Sequence, residues 1–355
     1  MNKQQKINDF DPNDYACNNG RVFGLPFDYK DAKVVLLPVP WEVTVSYSAG
    51  TASGHQAILK ASVQVDLYDS DVADAWKIGT YMLPVSDNWQ LQNEVSRRKA
   101  VVYIDFLEQG GNLEESAEMQ DLLKELNLQC RALKEWVKRE SLHLLDDNKL
   151  VGIVGGDHSS PLGLIEALAT KYDDFGILQI DAHADLRVAY EGFTYSHASI
   201  MHNALQNKEV SQLVMVGIRD ICEAEVEYIN RFPERITCFY DWDIKEKVEI
   251  ERSLSWAVMC NQIIAALPQN VYISFDIDGL KPSLCPNTGT PVAGGFELYE
   301  VFYLLKKLVL SGRKIIGFDL CEVSPDAANE GDEWDANVGA RVLYKLINLS
   351  GNKME

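Results

Sequence analysis

The stretch FGILQIDAHAD, residues 175–185, decides how the rest of the chain is interpreted. Its first six residues form an apolar run without a helical stripe, which predicts a strand buried on both faces. Side chains at positions i, i+2 and i+4 of an extended chain point to one side, so we expect Asp181, His183 and Asp185 to converge. Oxygen and nitrogen ligands grouped at a strand end suit a first-row transition metal.

Two other apolar runs end in residues of the same kind. VYISFDID (271–278) ends in Asp276 and Asp278, and LVGIVGGDHSS (150–160) passes through two glycines into Asp157 and His158. In an open α/β sheet, ligand sites form beyond the carboxyl ends of the strands. The three strand ends therefore predict a binuclear metal site. Asp157 is better suited to orient a ligand than to bind the metal itself.

The alternative to a metal site is a set of solvated loop carboxylates beside helix N-termini, with His158 as a core or capping residue. One DxD pattern at a strand end would favour that alternative. Here DxHxD follows one buried strand and DxD follows another. So much negative charge in one place is unfavourable unless cations neutralise it, and this favours the metal site.

The alternation of strands and helices predicts an α/β fold, a three-layer α/β/α sandwich around a mostly parallel sheet. One domain spanning residues 1–355 is expected, with a polar, irregular strap at 1–32 and a long mixed section at 69–149. Predicted strands are 33–41, 150–154, 175–180, 212–216, 236–240, 271–275 and 314–319. Predicted helices are 54–67, 114–145, 160–171, 198–206, 222–231, 251–266, 297–311 and 335–349.

The composition narrows the class of partner. Lys plus Arg number 33 and Asp plus Glu 53, which gives a formal net charge of −20. This charge argues against nucleic acid and anionic membranes, and mildly favours a small cationic substrate. The first residues lack the apolar core of a signal peptide, and no stretch has the apolar length of a membrane span. Seven scattered cysteines, Cys17 among them, without a CxxC pair indicate a reducing cytoplasm.

Five motifs, in this order and spacing, resemble the ureohydrolases, the family of arginases and agmatinases. They are GGDHS (155–159), DAHAD (181–185), SFDIDGLKPS (274–283), GTP (289–291) and EVSP (322–325). The resemblance runs from about residue 33 to 348, and the segment VPWEVTVSYSAGTASGHQAI is similar to the N-terminal strand and loop of the family. It implies the arginase-like three-layer fold and a homo-oligomer, a trimer or a hexamer.

The resemblance also implies two Mn²⁺ ions that together activate one water. It assigns His158, Asp181, Asp185 and Asp276 to one ion, and Asp181, His183, Asp276 and Asp278 to the other. A carboxylate-rich site with two histidines could also take Ni²⁺, Co²⁺ or Fe²⁺.

The resemblance assigns catalytic roles to His197, Glu322 and Asp185. His197, in FTYSHASIM, corresponds to a histidine that passes a proton to the leaving amine, a role suited to its ordinary pKa. Its alternative is a histidine at a helix N-terminus without a role. Glu322 corresponds to the glutamate that binds the guanidinium of the substrate, for which a carboxylate is a natural partner. Its alternative is a surface residue before Ser-Pro.

The loop DAHADLRVAYEGFTYSHASIM (181–201) resembles agmatinases more than arginases, because it lacks the Asn-Thr and Ser-Gly-Asn residues that hold the α-carboxylate and amine of arginine. The segment VGIR (216–219) also resembles agmatinases. The expected reaction is agmatine to putrescine plus urea. Guanidinobutyrase, free-guanidine hydrolase, arginase and formimidoylglutamase remain alternatives, as does a metal-binding regulatory module without turnover.

Several positions depart from the family pattern. They are Lys281 for Asp, Asn287 for Gly or Ala, His55 for Pro, and Cys285 in the loop near the metals. Arg187 could pair with Glu191 or could bind a carboxylate on the substrate, as in a guanidino acid. The section 69–149 looks longer than in ordinary agmatinases and could reshape the mouth of the site, form a subunit contact or bind a partner.

Overall fold

The structure, a computed structural model, describes residues 1–14, 18–326, 328–329 and 331–351. The cysteine at position 17 lies outside these ranges. The described strands form one parallel sheet in the order β2-β1-β3-β8-β7-β4-β5-β6. They are β1 (Val34–Pro38), β2 (Thr80–Met82), β3 (Leu150–Val154), β4 (Phe175–Ile180), β5 (Val210–Ile218), β6 (Ile236–Tyr240), β7 (Asn270–Phe275) and β8 (Lys314–Leu320).

Helices cover both faces of the sheet. They are α1 (Lys3–Asp9), α2 (Gly54–Ser62), α3 (Asp87–Glu108), α4 (Ala117–Asp146), α5 (Leu162–Ala169), α6 (Ile200–Ala204), α7 (Glu223–Arg231), α8 (Asp241–Lys245), α9 (Trp256–Ala265), α10 (Leu298–Leu310) and α11 (Trp334–Gly351). A π-helical turn, Glu246–Ile250, follows α8. None of these described helices has the length and apolar character needed to cross a membrane.

The two cores of the molecule lie on opposite faces of the sheet. Leu178 and Ile180 of β4 pack with α2, α9, α10 and α11, while Phe175 and Ile177 of the same strand pack with α3, α4, α5, α6 and α7. This alternation is what a strand covered on both faces produces. The predicted three-layer α/β/α sandwich is confirmed.

The structure corrects several local predictions. The first strand ends at Pro38 rather than 41, since Pro38 and Pro40 have no N–H to donate to a neighbouring strand. The strap at 1–32 is not irregular throughout, because α1 lies in it and Lys6 pairs with Asp31 at 2.6 Å. The 69–149 section contains β2 and α3, which sequence reasoning missed. The helices predicted at 54–67 and 251–266 are shorter, with α8 also unforeseen.

The strand order explains why the motifs meet. The strands β3, β8, β7 and β4 are neighbours in the sheet, and their carboxyl ends carry GGDHS, CEVSP, DID and DAHAD in that order. Because all four strands run parallel, these ends lie at one edge. The sheet therefore brings together polar residues from segments that are far apart in the sequence.

Candidate metal centre

The Gly-Gly turn after β3 allows His158 to enter the site. A Cβ on Gly156 would lie 1.8 Å from the carbonyl oxygen of Trp41, so only glycine fits between the two backbones. Beyond it, the N–H of Asp157 donates to that carbonyl at 2.8 Å and the N–H of His158 donates to Glu322 Oε1 at 2.8 Å. These bonds fix the direction in which the imidazole leaves the strand end.

The His158 ring is held with one nitrogen toward three carboxylates. Its Nδ1 lies 3.1 Å from Asp181 Oδ2, 3.0 Å from Asp185 Oδ2 and 3.3 Å from Asp276 Oδ2. Its Nε2 lies 2.9 Å from the hydroxyl of Ser274. That hydroxyl donates its proton to Asp319, so it accepts one from Nε2–H. In the neutral imidazole, the lone pair of Nδ1 then faces the carboxylates.

A second group shares Asp181 with the first. His183 Nδ1 lies 3.0 Å from Asp278 Oδ2 and 3.7 Å from Asp181 Oδ1. The N–H of Ala182 donates to Asp278 Oδ1 at 3.0 Å, and the N–H of Asp278 donates to Asp276 Oδ1 at 2.9 Å. Among the described residues, His158–Asp181–Asp185 and Asp181–His183–Asp278 are each arranged so that their ligand atoms lie within 4.8 Å of one another.

The reason given above for the convergence of DAHAD is wrong, although its three side chains do meet. The strand β4 ends at Ile180, and Asp185 has a left-handed backbone with φ of 54°. The residues therefore do not lie along an extended chain. The loop turns back instead, and the carbonyl of Asp185 accepts hydrogen bonds from the N–H groups of Met201 and His202.

Electrostatics at the site call for positive charge. Burial, with Asp278 and Asp181 nearby, holds the pKa of Asp276 well above its usual range. Burial and Asp181 raise the pKa of Asp185 to about 7. Burial opposes the ionisation of Asp278 as well, but His183 and the N–H of Ala182 outweigh it and lower the pKa to about 2. The cluster contains four carboxyl groups and only two imidazoles, so its acidic groups outnumber its basic ones.

The residues present fit a pair of divalent cations. The Nδ1 atom of His158 is buried and has no hydrogen-bond partner among the described residues, although carboxylate oxygens surround it. An acceptor nitrogen facing acceptor oxygens is unfavourable unless a proton or a metal cation lies between them. Carboxylates with two imidazoles are the donor set of Mn²⁺ and its first-row neighbours.

His197 lies beside this cluster, on the wall of the cavity. The hydroxyl of Thr44 lies 3.2 Å from its Nδ1 and accepts a hydrogen bond from its backbone N–H at 3.3 Å. The ring of Tyr190 meets the imidazole edge to face, with 6.0 Å between centroids. Burial, with His183 and His158 nearby, lowers the pKa of His197 to about 3, so the ring is neutral at pH 7.

Glu322 lies at the end of β8, not on the surface. It is 7% exposed, has a left-handed backbone with φ of 63°, and accepts the N–H of His158. Its backbone is fixed by the hydroxyl of Thr288, which donates to its carbonyl at 2.8 Å. Burial, with Asp276 and Asp157 nearby, holds the pKa of Glu322 well above its usual range, so this site too favours a cationic partner.

A cavity of about 170 Å³ joins these groups. Its wall contains five of the six predicted metal ligands (Asp181 lies behind them), together with His197 and Glu322. The outer part of the wall consists of Ser46, Ala184, Arg187, Tyr190, Ala198, Asp220, Ile221, Glu225 and Thr290. The predicted site residues are thus assembled around one opening.

Arg187 does not pair with Glu191. Its Nε lies 3.9 Å from Glu225 Oε2, and its guanidinium lies over the ring of Tyr190 at 5.0 Å. Glu225 is itself fixed, because it accepts the N–H groups of Leu186 and Cys222 at 3.0 and 3.1 Å. Arg187 therefore lines the cavity with much of its charge already compensated.

The departures from the family pattern do not disturb the cavity. Lys281 pairs with Glu297 at 2.9 Å, Asn287 bonds to Asp335, and the thiol of Cys285 donates to a carbonyl. His55 is buried, and its ring has no hydrogen-bond partner in the described part of the chain. None of the four contributes to the cavity wall formed by described residues.

Sequence reasoning missed four supporting side chains. Asp319 lies in β8 behind Ser274, Gln179 donates to Asp181 Oδ2 at 2.9 Å, and Thr44 contacts His197. Arg219 bonds to the carbonyl of Asp278 at 2.6 Å. A signal existed for Asp319 and Gln179, since each is a polar residue inside an apolar strand. Thr44 and Arg219 carried no such signal.

Comparison with known proteins identifies the family. The model of the arginase family matches residues 32–348. An N(1)-aminopropylagmatine ureohydrolase of Thermus thermophilus is 29% identical over 324 residues, which cover 91% of this chain and 92% of the relative. An agmatinase of Bacillus cereus is 26% identical, with 84% and 85% covered.

Solved structures with the same fold are also found. The solved structure of the agmatine ureohydrolase of Thermoplasma volcanium superposes with a TM-score of 0.68 at 21% identity and covers 98% of this chain and 97% of that one. Proclavaminate amidinohydrolase of Streptomyces clavuligerus gives a TM-score of 0.70 at 20% identity, with 95% and 99% covered. Since the family match includes every motif of the site, we conclude that the chain belongs to the arginase family of metal-dependent hydrolases.

Proposed function

We propose that the chain hydrolyses the guanidine of agmatine to putrescine and urea at a pair of divalent cations. The observation that carries this proposal is the arrangement of His158, with its unpartnered Nδ1 facing three buried carboxylates beside a buried glutamate. The reaction adds water to the guanidine carbon and breaks the bond from that carbon to the alkyl nitrogen. A proton then passes to the leaving amine.

Two cations would be held by six side chains. His158, Asp181, Asp185 and Asp276 would bind one, and Asp181, His183, Asp276 and Asp278 the other. When bound, such a pair lowers the pKa of a water and activates it at neutral pH. We propose Mn²⁺, with Ni²⁺, Co²⁺ and Fe²⁺ as the alternatives that this donor set accepts.

The protein residues bind and orient the substrate. Glu322 is a buried carboxylate at the cavity wall, and a guanidinium would offer it a planar set of donors. His197 is placed to exchange a proton through the ring nitrogen that Thr44 does not contact. Asp185 would hold one of the cations and would place a carboxylate near the water that the pair activates.

The charges on the cavity wall favour a substrate with a cationic tail. Apart from the metal ligands, it contains the carboxylates of Asp220, Glu225 and Glu322, and the charge of Arg187 is shared with Glu225 and Tyr190. Arginine would bring an α-carboxylate into these surroundings. The relatives named agmatinase and N(1)-aminopropylagmatine ureohydrolase support the same class of substrate.

One observation favours a second candidate, a guanidino acid such as 4-guanidinobutyrate. Arg187 lines the cavity, and a carboxylate on the tail of a substrate could compete with Glu225 for it. Arginine fits less well than 4-guanidinobutyrate, since the loop 181–201 lacks the Asn-Thr and Ser-Gly-Asn residues that hold the α-carboxylate and α-amine in arginases. A regulatory protein without turnover is opposed by the geometry of the site, since five of the six predicted ligands and His197 line one cavity and Asp181 lies directly behind them.

The test is a substrate panel on the metal-loaded protein, with urea as the product measured for the guanidines. Agmatine, N(1)-aminopropylagmatine, arginine, 4-guanidinobutyrate, guanidine and formiminoglutamate form the panel, with formamide measured for the last. We expect kcat/KM for agmatine to exceed that for arginine by at least ~10-fold, a difference of about 1.4 kcal/mol. Turnover of formiminoglutamate alone, or full metal loading without any turnover, would refute the proposal.

The variant Arg187→Ala distinguishes a substrate with a cationic tail from one with a carboxylate tail. If the tail is cationic, the variant keeps or improves kcat/KM for agmatine, because a neighbouring positive charge is removed. If the wild type prefers 4-guanidinobutyrate and Arg187→Ala abolishes that preference, the agmatine proposal is wrong. Arg231, an exposed arginine on α7, provides the matched control as Arg231→Ala.

A further inference from the structure

The helices α3 and α4 of the 69–149 section pack against the loops that flank His197. Arg97 of α3 donates from one guanidinium nitrogen to the carbonyls of Val43, at 3.2 Å, and Val45. Four residues earlier, the side chain of Asn93 accepts the N–H of Glu42 at 2.8 Å. One face of α3 therefore fixes the loop 42–45 through its backbone.

The residue between the two carbonyls is Thr44, which is fully buried. Its hydroxyl accepts the N–H of His197 at 3.3 Å and lies 3.2 Å from Nδ1 of the same residue. The hydroxyl also donates to Asp157 Oδ2 at 3.4 Å. Since a hydroxyl has one proton, the consistent chain runs from Nδ1–H to Thr44 and from Thr44 to Asp157. That tautomer leaves Nε2 free to exchange protons.

The position of Arg97 is unusual for a surface cation. No carboxylate of the described residues lies within ion-pair distance of it, and its hydrogen bonds go to the two carbonyls of the loop. Burial accordingly lowers its pKa. A half-buried guanidinium without an ion pair is unfavourable unless hydrogen bonds satisfy it. The hydrogen bonds of Arg97 go to the carbonyls on either side of Thr44.

The helices α3 and α4 also bond to the turn 190–194, which lies on another side of His197. The amide of Asn127 in α4 donates to the carbonyl of Gly192 at 3.0 Å and accepts the N–H of Thr194 at 2.8 Å. The hydroxyl of Tyr103 in α3 donates to the carbonyl of Glu191 at 2.9 Å. This turn begins at Tyr190, whose ring lies edge to face with the imidazole of His197.

We propose that Arg97 is a positioning residue for His197, acting through Thr44. The 69–149 section is then part of the catalytic machinery, because α3 sets the direction and tautomer of the imidazole. The kinetic part of this inference rests on the proposed hydrolysis. Its structural part, the support of loop 42–45 by Arg97, can be measured without turnover.

The kinetic test compares Arg97→Met with Arg98→Met. Arg98 is the next residue of α3 and is exposed, so its variant controls for the loss of an arginine from this helix. In Arg97→Met we expect kcat to fall ~10- to 100-fold, since misplacement of a catalytic group by about 1 Å has effects of that size. KM and the content of bound Mn²⁺ should stay as in the wild type, and Arg98→Met should match the wild type throughout.

Thr44 supplies the second pair of variants. Thr44→Val keeps the shape and removes the hydroxyl, and should lower kcat as Arg97→Met does. Thr44→Ser keeps the hydroxyl and should restore kcat, which a purely structural role for this residue would not explain. Wild-type kcat in Thr44→Val would overturn the inference, as would equal losses in Thr44→Val and Thr44→Ser.

Hydrogen–deuterium exchange gives a reading that does not depend on turnover. In the metal-loaded protein, Arg97→Met should speed exchange in peptides covering 42–47 and 196–199, and Arg98→Met should not. Unchanged exchange in both variants would overturn the inference, even if kcat falls. A wild type that turns over no substrate of the panel would refute the proposed function, and the exchange data would still decide whether Arg97 supports the loop.

Discussion

The hydrogen bond between His158 Nε2 and Ser274 should contribute to metal affinity by an amount that can be measured. Its Nε2–H donates to Ser274, which donates to Asp319, with 2.9 Å at both steps. Ser274→Ala removes both bonds at a fully buried position, and the proton of the imidazole is then free to move to Nδ1, the nitrogen that faces the carboxylates. Loss of the group that orients a ligating histidine lowers metal affinity ~10–100-fold. This corresponds to about 1.4–2.7 kcal/mol of binding free energy.

Calorimetric titration of the metal-free protein with Mn²⁺ measures this difference directly. Tyr272→Phe is the matched control, because Tyr272 donates to the same oxygen of Asp319 at 2.7 Å but does not touch His158. We expect one of two sites to weaken in Ser274→Ala and both sites to stay near wild-type affinity in Tyr272→Phe. Equal affinities in Ser274→Ala and the wild type would refute the reasoning, and so would equal losses in the two variants.

Three further outcomes are expected. Asp276→Asn should raise the melting midpoint of the metal-free protein, because a neutral amide is not subject to the burial and like-charge repulsion that disfavour the Asp276 carboxylate. It should also abolish the Mn²⁺-dependent stabilisation, which for one site is about 2.7 kcal/mol at 100 times Kd; a scan with and without Mn²⁺ measures both. His197→Asn should keep two bound ions while kcat falls ~10²–10⁴-fold, and an unchanged kcat would exclude His197 from the reaction. Asp69 pairs with Lys345 at 2.8 Å, both nearly buried, and Lys345 lowers its pKa, so this stabilisation is present above the unfolded pKa of about 4 and is lost as the pH falls. Lys345 keeps Asp71 as a partner at 2.6 Å, so denaturant titrations at pH 7 should show Asp69→Asn less stable by about 1.5–3 kcal/mol, with the difference shrinking by pH 3; a difference independent of pH would contradict the assignment.

The chemistry of the site was visible in the sequence because each ligand directly follows a buried strand. Apolar runs ending in DAHAD, DID and GGDH mark strand ends whatever the rest of the fold does. The side chains that orient the ligands were harder to find. Ser274 contacts a histidine 116 positions away, and Glu322 accepts an N–H from a residue 164 positions earlier. Local patterns carry no information about such pairs.

Within the 69–149 section, sequence reasoning found α4 but missed α3. The apolar residues of α4 recur with clear helical spacing, whereas α3 mixes polar residues into its buried face, including Asn93 and Ser96. Asn93 is buried because it bonds to the backbone of loop 42–45, not because it is apolar. A helix whose buried face binds backbone groups does not show the periodicity that predicts helices.

Local sequence patterns predicted most strands and helices of the second half of the chain, α8 excepted, and the residue types of a two-metal site, since apolar periodicity and strand-end carboxylates are local properties. Tertiary packing was needed to show that β3, β8, β7 and β4 are neighbours, that Asp185 reaches the site through a left-handed turn, and that α3 lies behind Thr44 and His197. Parallel strands pair through backbone groups that every residue shares, so an apolar strand fits beside many others. The order that brings the ligands together is set by the packing of the whole chain.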